Sequence, residues 1–233
     1  MNSHELRFAF GNPVLYAQIR RVMQKRLTYL SRATLIDLCT AIQAVERQQV
    51  KGMILEAGCA LGGSAIILAL AKQSQRPFSL FDVFDQIPPP SPKDGPDVHE
   101  RYREIQSGNA AGINGDDYYG YVTHLDDVVI ANMSRFGINI NTNAIEIVKG
   151  LYQDTMHIDQ PVAFAHIDCD WYESVLTCLT QIVPHLSIGG CLVIDDYEAW
   201  SGCRKAVDEF FAMRRDSFRF VMKSNLHIVR VAK

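Results

Sequence analysis

The sequence predicts an α/β fold: a mostly parallel seven-stranded sheet, helices on both of its faces, and an antiparallel hairpin at the C-terminal end. Three observations carry that expectation. From residue 52 onward, short apolar runs alternate with helical patterns of crossover length, as parallel strands joined by helices require. The first apolar run ends in a glycine-rich turn. The last two runs are separated only by Ser224, Asn225 and Leu226, too few residues for a crossover, so that pair is antiparallel.

Two helical patterns open the chain, over residues 13–30 and 33–47. The second places Leu35, Leu38, Ile42 and Val45 at helical spacing, giving one apolar face. A buried strand over 52–58 follows, then a helix over 64–72 and a strand over 77–83. Residues 84–121 form the longest irregular region, with Pro88, Pro89, Pro90 and Pro92 near its start and a polar run at 112–121. A short helix over 98–106 divides it. Segments of this kind inside a compact domain are functional lids or disordered stretches. Interleaved aromatics and charges favour a lid, whose Arg101, Tyr102, Asp116, Tyr118 and Tyr119 are candidates to grip a polar ligand. Regular alternation then returns: helix 122–136, strands 144–148 and 162–167, helix 175–186, strand 190–194, helix 205–213, and closing strands 218–223 and 227–231. The expected division is a helical extension over 1–50 and a ligand-binding domain over 51–233, with the lid inserted at about 84–121.

Composition narrows the functional classes. A chain of 233 residues, 48% hydrophobic and 21% charged, suits one sizeable soluble domain. A formal charge of −3 supplies no basic footprint for nucleic acid or an anionic membrane. No run is long and apolar enough to span a bilayer, and residues 1–10 lack the pattern of a secretory signal. The six cysteines include no C-x-x-C pair, so reduced thiols in a cytoplasmic protein are expected, not a disulfide frame or a zinc site.

Three constellations carry chemistry. In the turn from Glu56 to Ser64, Gly58, Gly62 and Gly63 let the backbone bend tightly and approach a ligand beyond the strand end. The spacing is G-x-x-x-G-G, which departs from the dinucleotide fingerprint, and Glu56 suits an ammonium group better than a pyrophosphate. A structural strand–helix turn is the alternative. Asp82, ending the second strand, is either an acceptor for ribose hydroxyls or a solvated turn aspartate. The third constellation weighs most. Two apolar strands end in acids, one in Asp168 and Asp170, the other in Asp195 and Asp196. If the strands are neighbours, these carboxylates meet at one sheet edge and cannot all stay ionised without compensation. A hard divalent cation such as magnesium is the natural compensation; capping of helix starts is the alternative. His166 shares the orientation of Asp168 on its strand and reads equally as a core histidine. Gly150, Leu151 and Tyr152 either frame an adenine ring or begin an ordinary helix.

The segments Leu55–Gly58 with Gly62 and Gly63, His166–Ser174, and Gly189–Tyr197 resemble the macrocin O-methyltransferase family, metal-dependent O-methyltransferases of bacterial sugars and antibiotics. The resemblance runs from about Lys51 to Lys233. It implies a Rossmann-like class I methyltransferase fold, S-adenosylmethionine as methyl donor and a divalent metal, Mg²⁺ or another hard cation. It implies Asp168, Asp195 and Asp196 as metal ligands and Asp170 as general base. Glu56, Ala57, Gly58, Gly62, Gly63 and Ser64 match the loop around the methionine part of the cofactor, and Asp82 the ribose contact. It also implies a homo-oligomer. The proline-rich stretch from Ile87 departs from antibiotic-tailoring members, so a sugar, a glycosylated natural product or an envelope glycan precursor are all admitted as acceptor. The rival readings are an NAD-dependent oxidoreductase, a cofactor-binding protein without catalysis, and a metal-dependent hydrolase.

Overall fold

The computed structural model describes residues 3–232. Three helices come first: α1 (Ser3–Gly11), α2 (Pro13–Gln24) and α3 (Arg32–Arg47). Ser31 starts α3, its hydroxyl accepting from the Thr34 N–H at 3.1 Å. The α/β succession follows with β1 (Met53–Ala57), α4 (Gly63–Ala71), β2 (Phe78–Asp82), α5 (Pro96–Gln106), α6 (Leu125–Arg135) and β3 (Ile145–Lys149). A single turn, α7 (Tyr152–Thr155), precedes β4 (Val162–Ile167), α8 (Tyr172–Ile182), β5 (Leu186–Ile194), α9 (Ser201–Phe211), β6 (Phe218–Met222) and β7 (Leu226–Arg230).

The seven strands form one sheet in the order β3-β2-β1-β4-β5-β7-β6, with β1 to β5 parallel and β7 antiparallel to both β5 and β6. Side chains alternate across it. Ile54, Phe78, Leu80 and Phe164 join one core beneath α3, α4 and α6, and Leu55, Ala165, Leu192 and Ile228 join the other beneath α8 and α9. Ile19 and Val22 of α2 and Leu35 and Ile42 of α3 belong to the first core, so the N-terminal helices are packed into the same unit as the sheet. Because β1 lies between β2 and β4, the crevice where the strand order reverses opens at the carboxyl ends of β1 and β4.

Several boundaries differ from the sequence expectation, for local reasons. The helix α1 was not anticipated: Leu6, Phe8 and Phe10 alternate as a strand would, and only Phe8 is buried. The helix expected over 13–30 stops at Gln24, because Arg26 takes a left-handed conformation (φ 55°). The chain then runs past α4, where a Cβ on Gly63 would fall 2.3 Å from the Leu27 carbonyl oxygen. β5 begins at Leu186 instead of residue 190, continuing through Gly189 at φ 81°, a conformation that favours glycine. Residues 84–121 contain α5 and two single 3₁₀ turns and are tied down at several points. Asp94 accepts from the Tyr172 N–H at 2.8 Å, and the Trp171 indole donates to the Pro88 carbonyl at 3.0 Å. No described helix is long and apolar enough to cross a membrane.

Candidate active site

At the carboxyl edge of the sheet, β1 and β4 stay in contact beyond their last paired residues. The Asp168 N–H donates to the Ala57 carbonyl at 2.8 Å. A Cβ on Gly58, which sits at φ 90°, would lie 1.6 Å from the Asp168 carbonyl oxygen. Gly58 is therefore required by the approach of the β4 terminus. Gly62 caps α4 in the left-handed region, and a Cβ there would lie 2.9 Å from Val129. Gly62 and Gly63 thus serve packing against α6 and the N-terminal segment, and neither lines the two cavities at this sheet edge.

Asp82 is buried and locks the turn in place. One carboxylate oxygen accepts from the Cys59 N–H at 2.6 Å, the other from the Phe84 N–H at 2.8 Å. Burial raises its pKa above the ordinary carboxylate value against the pull of these donors. It borders the narrower of two adjoining cavities, as do Asp85, Gly150, Leu151 and Tyr152. Asp85 was not singled out from the sequence; it is exposed and lies three residues beyond a strand end, a position without a distinctive signal.

The larger cavity, of about 340 Å³, is walled by the acids. The β4–β5 pairing extends one step past the strands, with the Asp195 N–H donating to the Ile167 carbonyl at 2.9 Å, and this brings Asp168, Asp170, Asp195 and Asp196 to one cavity wall. Gly58, Cys59, Ala60 and Ser64 line the same space; Glu56 and Ala57 do not. From the insertion, Arg101, Tyr118 and Tyr119 reach the cavity, whereas Tyr102 and Asp116 do not, and Asp116 instead pairs with Arg26 at 2.8 Å. Leu27 to Ser31, between α2 and α3, close another side.

The acids feel one another. Burial and then repulsion from Asp195, Asp196 and Asp170 hold the Asp168 carboxyl well above its usual range. Burial and then Asp170 and Asp195 do the same to Asp196. Asp170 is raised to about 6, chiefly by burial, with the Trp200 hydrogen bond opposing and Asp195 adding to the rise. Asp170 also takes a left-handed backbone conformation (φ 57°), and its N–H donates to an Asp196 carboxylate oxygen at 3.2 Å.

Two further residues, Glu56 and His166, lie beneath this wall. Glu56, expected beside an ammonium group, is fully buried on the sheet, and one of its oxygens takes a 2.9 Å hydrogen bond from His166 Nδ1. His166 Nε2 has no hydrogen-bond partner and lies 3.8 Å from Asp195 Oδ1. Burial alone would depress the His166 pKa, but the neighbouring Asp195 and Glu56 carboxylates raise it to about 9. The one group of three or more such side chains among the described residues with ligand atoms within 4.8 Å of one another is His166, Asp168 and Asp195. Asp196, expected as a third ligand, stands outside that triangle, one of its oxygens engaged by the Asp170 backbone. Asn225 was also missed. The turn between β6 and β7 lies beside the end of β5, and the Asn225 amide donates to the Asp195 carbonyl at 2.8 Å and to its carboxylate. Only the pairing of β7 with β5 reveals that neighbour.

The family model for Macrocin-O-methyltransferase (TylF) matches residues 23–217. The chain belongs to that family. The enzyme is an O-methyltransferase of the class I fold. It is 28% identical over 189 residues, 78% of this chain and 67% of the relative, to the 8-demethyl-8-(2,3-dimethoxy-alpha-L-rhamnosyl)-tetracenomycin-C 4'-O-methyltransferase of Streptomyces olivaceus. It is 26% identical over 194 residues, 78% of this chain and 69% of the relative, to the mycinamicin III 3''-O-methyltransferase of Micromonospora griseorubida. The solved O-methyltransferase NovP superposes with a TM-score of 0.72 at 20% identity, covering 89% of this chain and 83% of that one. A Bacillus cereus O-methyltransferase solved with S-adenosylhomocysteine (SAH) gives 0.56 at 16% identity, with coverage of 93% and 91%.

Proposed function

We propose that this O-methyltransferase transfers the methyl group of S-adenosylmethionine to a hydroxyl of a sugar or glycosylated natural product, envelope glycan precursors included, with the help of a divalent cation at the acid wall. The observation that carries the reading is the meeting of Asp168, Asp170, Asp195 and Asp196 on one cavity beside the Gly58–Ala60 turn. The residues fit a cation. Positive charge is what this corner requires: burial and then mutual repulsion push the carboxyl pKa values up, and His166 Nε2 has no hydrogen-bond partner. They also fit the methyl donor, since the two cavities share Gly58, Tyr119, Asp168 and Asp170 and run from the acid wall to Leu151 and Tyr152.

When bound, the sulfonium supplies an electrophilic methyl group and the cation favours the alkoxide form of an acceptor hydroxyl. The chain's own side chains do the rest. Asp168 and Asp195 hold the cation, with Asp196 beside them. Asp170, near neutrality in its affinity for protons, accepts the proton of the acceptor hydroxyl. Gly150, Leu151 and Tyr152 flank the adenine end, with Asp82 or the exposed Asp85 available to the ribose. The slot there measures about 40 Å³, far below the several hundred Å³ of a ligand site. Ile87, Pro88 and Tyr119, all from residues 84–121, line it, so this insertion acts as a lid that withdraws for entry and closes to exclude water. The rhamnosyl substrate named for the Streptomyces olivaceus relative supports a glycosidic acceptor.

The test is transfer of labelled methyl from S-adenosylmethionine to a panel of deoxysugar glycosides. Activity is expected to stop in EDTA, to return with divalent cation, and to be lost in Asp168→Ala, Asp195→Ala and Asp196→Ala. Full turnover in chelator removes the cation from the reading. Stabilisation by NAD and not by SAH removes the methyl donor.

A further inference from the structure

We infer that His166 is a nitrogen ligand of the cation, held in place by Glu56, so that this site prefers manganese, cobalt or iron over magnesium. The inference rests on the proposed cation site and deepens it. His166 lies on β4, two residues before Asp168, and its ring is wholly buried. A carboxylate only accepts hydrogen bonds, so the 2.9 Å contact with Glu56 places the ring hydrogen on Nδ1. In the metal-free protein the second ring proton faces Asp195 across 3.8 Å; a cation that displaces it meets a lone pair on Nε2, the atom without a hydrogen-bond partner. Nε2, an Asp168 oxygen and an Asp195 oxygen lie within 4.8 Å of one another.

A carboxylate holding one ring nitrogen while the other faces a metal is the arrangement that orients ligating histidines in many metal sites. Burying an imidazole nitrogen with no partner costs free energy, and a bound cation removes that cost. A fold that needed only a packing side chain here would place an apolar residue opposite Val193, its register partner in β5. The buried Glu56 has the same logic: it reaches neither cavity, and its hydrogen-bonded partner is the histidine. Glu56 is thus a positioning residue, acting through the ring it orients. One imidazole among carboxylates shifts a site from magnesium toward the first-row transition metals.

The experiment uses the full chain, stripped with EDTA and free of S-adenosylmethionine, with Mn²⁺, Co²⁺ or Mg²⁺ as the only addition. Pulsed electron paramagnetic resonance of the Mn²⁺-loaded wild type is expected to show nitrogen modulation from one coordinated imidazole, absent in His166→Gln. Calorimetric titration is expected to show Co²⁺ binding weakened at least about tenfold in His166→Gln, with Mg²⁺ binding changed much less. Glu56→Gln should keep the nitrogen signal while weakening the affinity. The wild-type spectrum stands without any variant, should His166→Gln fail to fold. Mn²⁺ bound by the wild type with no nitrogen modulation, or modulation that persists in a folded His166→Gln, overturns the inference and leaves the carboxylate site intact. A wild type that binds none of the three cations overturns the cation site itself.

Discussion

Replacing Asp170 by asparagine should make the metal-free protein more stable while disabling it. The carboxyl of Asp170 rises from an ordinary 3.8 to about 6, first through burial, with Asp195 adding to the rise. At ~1.4 kcal/mol per pH unit this is about 3 kcal/mol, and screening by water in the cavity reduces the working figure to ~1–2 kcal/mol. The sign is fixed by linkage. Between pH 3.8 and about 6 the folded chain binds a proton that the unfolded chain releases, so this residue's contribution to stability falls as pH rises through that window. The penalty is complete above it. Asparagine tolerates the left-handed backbone at this position, so the substitution brings no new strain. Urea denaturation in EDTA should therefore show Asp170→Asn more stable by ~1–2 kcal/mol at pH 8, with the gain fading toward pH 4. Melting should rise by about 2–8 °C, and turnover with saturating cation should fall by ~10²–10⁴-fold if Asp170 takes the proton. A variant no more stable than wild type at pH 8, or one whose gain is the same at both pH values, refutes the claim that burial and the neighbouring Asp195 hold the Asp170 carboxyl above its ordinary range.

Two further expectations concern the frame around the site. Gly58→Ala must push a Cβ into the Asp168 backbone at a φ that disfavours side chains, so the β1 and β4 ends separate. Loss of several kcal/mol or of soluble expression is the expected result, and a variant with wild-type melting and SAH affinity counts against the close approach. His227 is buried in β7, its Nε2 without a hydrogen-bond partner, and burial lowers its pKa to about 4. It stays neutral in the fold, so its contribution to stability is lost as pH falls from about 6.5 toward 4. His227→Leu should recover no more than ~3 kcal/mol at the acid end and little at pH 8; equal effects at both ends would show that the ring is not desolvated.

How much of this was legible in the sequence depends on what each residue answers to. β1, β2, β4 and β5 were readable because burial on both faces leaves continuous apolar runs, and their terminal acids interrupt those runs conspicuously. That β4 and β5 are neighbours was a supposition that the sheet order bears out. The glycines were readable as a turn, but the reasons for Gly62 and Gly63 lie in Val129 and Leu27, residues distant in the chain. The same holds for Asn225, whose bond to Asp195 depends on an antiparallel pairing that hydrophobic pattern does not specify. Glu56 and His166 illustrate the converse. Each was noticed alone, and only the register that sets Glu56 opposite His166 shows that they form a pair.

The central claim is that the β4 and β5 termini hold one divalent cation beside the methyl donor. Anomalous diffraction from crystals grown with Mn²⁺ and SAH tests it directly. The account requires a single manganese peak contacting Asp168 and Asp195, within reach of the SAH sulfur across the same cavity. SAH seated in the cavity with no peak at those carboxylates, or manganese bound only elsewhere on the chain, contradicts it.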